Sequence, residues 1–132
     1  LSQSSRSDAA AYLMERYGRG VVLKGCMKPL KGAYYDWNEG KPSISWNISQ
    51  GLNALLHELG HYRLKHDRLE LRGNGIHIDE ILEEAEAWLW AEERAHRHDI
   101  KFNYADADKW FETYCNYHWK KGVVAIQWRR KK

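Results

Sequence analysis

With 132 residues, the chain is long enough for one domain with a real core and too short for two. A hydrophobic fraction of 43% with 13% aromatics excludes a disordered or low-complexity protein, and no apolar run reaches the length of a membrane span. The formal net charge of +3 is too small to make nucleic-acid binding the leading expectation. Cys26 and Cys115 lack C-x-x-C spacing, which argues against a four-cysteine zinc site or a redox motif and leaves a single disulfide between them open. Seven Trp and eight Tyr against two Phe point to a core and groove lined by amphipathic aromatics, with core filling the commoner use.

Leu1 to Ser7 is polar and Ser-rich without an apolar signal segment, so the expectation is a flexible lead on a soluble, cytoplasmic protein. The chain opens on Leu rather than Met, which points to a processed or trimmed start. Asp8 can cap a helix through Tyr17, with Leu13 and Met14 as apolar contacts and Gly18 and Gly20 ending it. Extended stretches follow at Val21-Val22-Leu23, at Ala33 to Trp37 and at Ser43 to Ile48, the last two parted by the turn-rich Asn38-Glu39-Gly40-Lys41-Pro42 and read as a hairpin. The third alternates Ile44, Trp46 and Ile48 with Ser43, Ser45 and Asn47, so one face should pack and the other stay polar. One strand between Ala33 and Ile48 is expected to be an edge to which an extended peptide can add.

Leu52, Leu55, Leu56 and Leu59 then make the stripe of an amphipathic helix over Ser49 to His66. It carries His57-Glu58-Leu59-Gly60-His61, an H-E-x-x-H. Histidines four apart lie on one helical face, where both imidazoles can ligate one Zn²⁺ and the intervening Glu58 can take a proton from an activated water. The plain alternative is a solvated second face. Ala54 and Gly60 favour the functional reading, because small residues let another element come close.

Zinc needs a third protein ligand. The metzincin spacing leads to Asp67, but Leu64 stands where that pattern requires Gly. His66 and His77 could also reach back. The stronger candidates lie on the next helix, Ile78 to His96, where Ile81, Leu82, Ala85, Trp88 and Leu89 form an apolar face. Glu84 flanks that face and ranks first, Glu80 second and Glu86 third, against the plain alternative of a solvated acidic run.

His96 and His98, two apart, do not face each other on a helix and read as surface rather than as a second metal site. Asp106 caps a last helix to about Trp119, and its His118, Tyr114 and Tyr117 are candidates for stabilising an oxyanion. Gly122 ends it, Val123 to Trp128 can add a short strand or clamp, and the chain closes on the basic tail Arg129-Arg130-Lys131-Lys132. Lys and Arg beside Trp128 could grip phosphates and stack on a base, though a solvated basic end is the plainer expectation.

The strand Ser43 to Ile48, the segment Leu55 to Tyr62 and the run Glu84-Ala85-Glu86-Ala87-Trp88-Leu89-Trp90-Ala91 together resemble the ImmA/IrrE-type zinc metallopeptidases, over roughly Ser43 to Ala91. That family reads H-E-L-G-H followed by E-x-E-A-x-x-F-A. The resemblance implies His57 and His61 as ligands, Glu58 as general base and an acidic third ligand. One alignment makes that ligand Glu86, with Trp90 matching the family's Phe; the other makes it Glu84, with Trp88. Helical geometry favours Glu84. Glu92 and Glu93 stand where the family commonly has leucines, which leaves the packing of the helix end open.

The expectation is therefore a single zincin-like domain over 1–132, an α+β fold with a small antiparallel sheet beside the H-E-x-x-H helix and the acidic helix after it. It would be a zinc metalloendopeptidase that makes limited cuts in a regulatory protein, and the resemblance suggests a helix-turn-helix repressor. The rivals are a catalytically silent peptide-docking or inhibitory module of the same fold and a nucleic-acid binder working through the tail.

Overall fold

The computed structural model describes residues 3–25, 33–38, 41–65, 78–118 and 127–129. Its middle strand, β3 (Lys41–Trp46), pairs antiparallel with β2 (Tyr34–Asn38) from Asn38↔Lys41 to Tyr34↔Ser45, which is the expected hairpin with a connection shortened to residues 39–40. On its other side β3 pairs in parallel with β1 (Val22–Gly25), through Leu23↔Ile44 and its neighbours. The sheet, ordered β1-β3-β2, is thus mixed rather than wholly antiparallel. Pro42, which cannot donate to a ladder, sits one residue before β1 joins at Ser43, where β3 has a strand on one side only.

Of the expected alternation in β3, Ile44 and Trp46 pack as predicted, but Ser43 and Ser45 are buried too. Their register partners Val22, Asp36 and Lys24 are exposed and stand on the same face, so longer side chains on both neighbouring strands shade the short serines. The strand ends at Trp46. Asn47 accepts from Ser49 N at 2.8 Å while the Gln50 side chain accepts from Asn47 N at 2.7 Å, a reciprocal cap on the 3₁₀ turn Ile48–Gln50. Gly51 follows at φ +84°, a conformation that favours glycine, and its carbonyl accepts from Trp46 Nε1 at 2.8 Å. This junction fixes where the next helix starts relative to the sheet.

That helix, α2 (Gly51–Arg63), ends about a turn short of the expected His66; Leu64 N closes on Gly60 O and Lys65 turns to φ +59°. Its leucines Leu52, Leu55, Leu56 and Leu59 are all buried, as their spacing predicts, and they share the core with Leu13, Ile44 and Ile81. α1 (Gln3–Tyr17) begins before the expected Asp8, so residues 3–7 of the expected flexible lead are helical. Arg6 donates to Ile48 O at 3.0 Å and ties that end to the strand-to-helix junction. Tyr62 Oη donates to Arg19 O, pinning the far end of α2 to the turn after α1.

α3 (Ile78–Arg97) packs chiefly on α2, and α4 (Tyr104–His118) lies against α3. The cap of α4 is Asn103 rather than Asp106: Asn103 Oδ1 accepts from Asp106 N at 3.0 Å, and the two side chains meet at 3.1 Å. No helix of the described residues is long and apolar enough to cross a membrane.

α2 and α3 come close together at Gly60. A Cβ there would stand 3.0 Å from Ala87 O and 3.2 Å from Ala87 Cα. Gly60→Ala would gain about 1 kcal/mol of helix propensity. Overpacking against a backbone that no rotamer change can move costs about 1–3 kcal/mol. The net expectation is a lower urea midpoint for Gly60→Ala; a raised midpoint would show that the two helices are not in this contact.

Candidate metal centre

α2 and α3 together bury four ionisable side chains: His57, Glu58 and His61 from α2, and Glu84 from α3. The histidine face of α2 is therefore neither solvated nor wide open, since α3 covers it. Such burial is unfavourable unless the groups satisfy one another. They largely do. His61 Nε2 stands 2.5 Å from Glu84 Oε2, and His57 Nδ1 stands 2.6 Å from Glu58 Oε2. The two imidazoles, one helical turn apart, have ring centroids 4.7 Å apart, meeting edge to face.

His57 Nε2 is the exception. It lies 3.4 Å from Glu84 Oε1, and no hydrogen bond of ordinary geometry reaches it although it is fully buried. Both Nε2 atoms thus face the two oxygens of one carboxylate. Burial works against a charged His57, but the carboxylates of Glu58 and Glu84 outweigh it and hold the imidazole pKa up to about 10. For Glu84 burial works towards the neutral acid, and His61 and His57 outweigh it and hold the carboxyl well below its ordinary value. His57 thus lies against two acidic side chains, Glu58 through Nδ1 and Glu84 through Nε2.

The ligand atoms of His57, Glu58 and His61 lie within 4.8 Å of one another, so this buried group could hold a metal ion. Glu84, whose oxygens stand against both Nε2 atoms, is the other carboxylate in reach. Imidazole nitrogens with carboxylate oxygens, one nitrogen buried without a hydrogen bond, are a donor set that fits a divalent transition metal. Among the described residues this is the one such group.

Of the ranked acids, Glu84 is the one brought to the histidines. Glu86 is exposed, and the side chain of Glu80, like His66, Asp67 and His77, lies outside the described residues. The reason for the choice differs from the expected one. Leu82 and Leu89 are exposed at 50% and 45%, so they do not belong to the buried face. That face runs Ile81, Glu84, Trp88, Ala91 and Ala95, with Ala87 beside it. Glu92 and Glu93, which stand where the resemblance expects leucines, leave it undisturbed; Glu93 pairs with Arg94 at 3.0 Å and Arg97 at 2.8 Å while the alanines fill the interface.

Trp88, expected on the apolar face that Glu84 flanks, reaches the site itself, a contact that spacing did not single out. Its indole stacks on the His57 imidazole at 4.0 Å between centroids with the planes 11° apart. It follows Glu84 by four residues, so the two share one face of α3. Trp88 in turn meets Phe102 and Trp128.

Of the C-terminal Trp128 and basic tail, Trp128 and Arg129 are described, while Arg130, Lys131 and Lys132 lie outside the described residues. Trp128 is buried, its Nε1 donates to Asp108 Oδ1 at 2.7 Å, and Arg129 Nη2 stands 2.8 Å from Asp108 Oδ2 with its guanidinium over Tyr104. His96 and His98 each meet a different tyrosine, Tyr104 at 3.1 Å and Tyr17 at 2.6 Å, in keeping with two separate roles. The side chains of Tyr114, Tyr117 and His118 lie outside the described residues, as does Cys26, while Cys115 is a buried free thiol.

A scan of protein-family models and searches of curated proteins and of solved structures find no match to this chain.

The raised His57 pKa has a consequence for the metal-free protein. A group whose folded pKa exceeds its ordinary 6.5 stabilises the fold fully below that value and loses this contribution as pH rises toward about 10. Glu84 stabilises above its ordinary 4.5 and loses its contribution as pH falls towards its depressed value. Thermal scans of chelator-treated protein should therefore show the midpoint highest between about pH 5 and 6.5 and falling steadily to pH 9.5. A flat alkaline profile would contradict the pairing.

Proposed function

We propose that the chain is a zinc-dependent metallopeptidase of the ImmA/IrrE type, with zinc held by His57 Nε2, His61 Nε2 and the Glu84 carboxylate, and with Glu58 as general base. One observation carries the reading: two buried imidazole nitrogens, one of them without a hydrogen bond, face a single carboxylate from the next helix. Two histidines and a glutamate are the ligand set of catalytic zinc in several peptidases, with a further position left for water. Zinc bound there would supply Lewis-acid activation of water and of the scissile carbonyl.

The other parts are this chain's own residues. Glu58 would accept the proton of the attacking water and pass it to the leaving amine. Its Oε2 is engaged by His57 Nδ1, a bond that also sets the orientation of that ring. β3 has partners on both sides, so among the described residues the sheet edge within Ala33 to Ile48 is that of β2. An extended substrate adding to β2 would gain main-chain hydrogen bonds, and Tyr35 of β2 packs near Tyr62, the residue after His61. A protein substrate cut at few places, such as a DNA-binding repressor, rests on the sequence resemblance alone.

The docking-module rival draws on one observation, the engagement of Glu58 by His57. A carboxylate kept there permanently would orient a ligand and abstract no proton. The two readings part on chemistry. Metal analysis of purified protein should find zinc near one per chain in the wild type and in Glu58→Gln, and little in Glu84→Ala or His57→Ala. Mass spectrometry of a broad peptide library should show new termini with the wild type and a loss of about 10²–10⁴-fold in Glu58→Gln. Zinc-loaded wild type that cuts nothing would support the docking module; a metal-free wild type indifferent to chelators would refute both.

A further inference from the structure

The His57 imidazole has two rotational freedoms to lose before its Nε2 can point at a metal: the plane of the ring and which edge faces which way. The bond from Nδ1 to Glu58 selects the edge, because a half-turn about the Cβ–Cγ bond would put a carbon there instead. It does little to hold the plane. The only flat surface against the ring is Trp88, 4.0 Å away and within 11° of parallel, at least among the described residues.

We propose that Trp88 is a positioning residue of the metal centre, holding the plane of the His57 ring so that Nε2 is aimed at the site shared with His61 and Glu84. The inference rests on the metal reading of that site and adds to it. Glu84 and Trp88 are four apart on α3, so one rigid helix delivers both the acid and the surface that aligns its partner. Trp88 is itself only 4% exposed and is braced by Phe102, edge-on at 6.2 Å, and by Trp128 at 6.1 Å. Trp128 is fixed in turn by Asp108 and lies within 12° of parallel to Tyr104. The support of the metal site thus extends to the last described residues of the chain, through aromatic contacts and one carboxylate rather than through the backbone.

The test uses the full chain, zinc competition against a chromophoric chelator and titration with cobalt(II) followed by its visible absorption. The variants are Trp88→Leu, Trp88→Phe and Asp108→Asn. Losing an aligning partner of a metal-bound histidine weakens metal binding by about 10–100-fold. Trp88→Leu should show a loss of that size with an altered cobalt spectrum, Trp88→Phe should regain most of both, and Asp108→Asn should show a smaller loss. Long-range proton–nitrogen spectra of the metal-free protein should show the His57 ring nitrogens changed in Trp88→Leu.

A purely structural role would lower the thermal midpoint and leave zinc affinity and the cobalt spectrum of the folded fraction unchanged, which would overturn the proposal. Should Trp88→Leu fail to fold, Asp108→Asn carries the comparison, and a wild-type zinc affinity and cobalt spectrum in that variant would overturn the proposal equally. Wild type that binds neither zinc nor cobalt removes the metal reading and this inference together. Wild type that binds them, with Trp88→Leu and Asp108→Asn binding equally well, removes only the role of Trp88.

Discussion

A single carboxylate, Glu84, stands between two imidazoles in a place from which water is nearly excluded, and the surrounding structure is what makes that arrangement tolerable. Each of these groups alone would be costly to bury. Together they compensate one another, and the compensation requires α2 and α3 to hold a fixed spacing and phase. A shift by one residue along α3 would bring Ala85 or Glu83 to the histidines in place of Glu84. The leucines of α2 hold the opposite face to the core, so the helix cannot roll to relieve the charges.

The spacing comes from small residues. Gly60 lies inside the H-E-x-x-H itself and stands against the Ala87 backbone of α3, with Ala91 and Ala95 also buried on α3. At that distance short carboxylate and imidazole arms reach each other directly. The aromatic residues take the complementary task. Trp88, Phe102, Tyr104 and Trp128 fill the space beside the site where the helices diverge, and Asp108 satisfies the indole nitrogen and guanidinium that come with them.

Much of this was legible, unevenly. The α2 helix and its histidine pair could be read because the leucine stripe and the i, i+4 spacing obey one period, and the hairpin because turn residues separate two β-rich runs. The parallel pairing of β1 could not, since it depends on contacts between segments separated by the whole hairpin. For Glu84 the apolar face is only partly legible: leucine outweighs alanine on any hydrophobicity scale, yet Leu82 and Leu89 face solvent while Ala87, Ala91 and Ala95 are buried. The cap of α4 was misplaced by one turn because Asn103 and Asp106 are both good capping residues and the structure uses both. Trp128 looked like part of a basic tail because its sequence neighbours are cations; its burial depends on Asp108 and Tyr104, which local composition does not reveal.

The joint between β3 and α2 bears on how the sheet and the histidine-bearing helix can move. Asn47, Gln50 and Gly51 weld strand to helix within a few residues, and Trp46 and Arg6 each add a hydrogen bond across the weld. The sheet and the histidine-bearing helix therefore have no hinge at their junction. An extended molecule adding to the β2 edge, as proposed, would meet a sheet already fixed against α2 when the chain folded, so discrimination there would come from steric fit rather than from a closing motion.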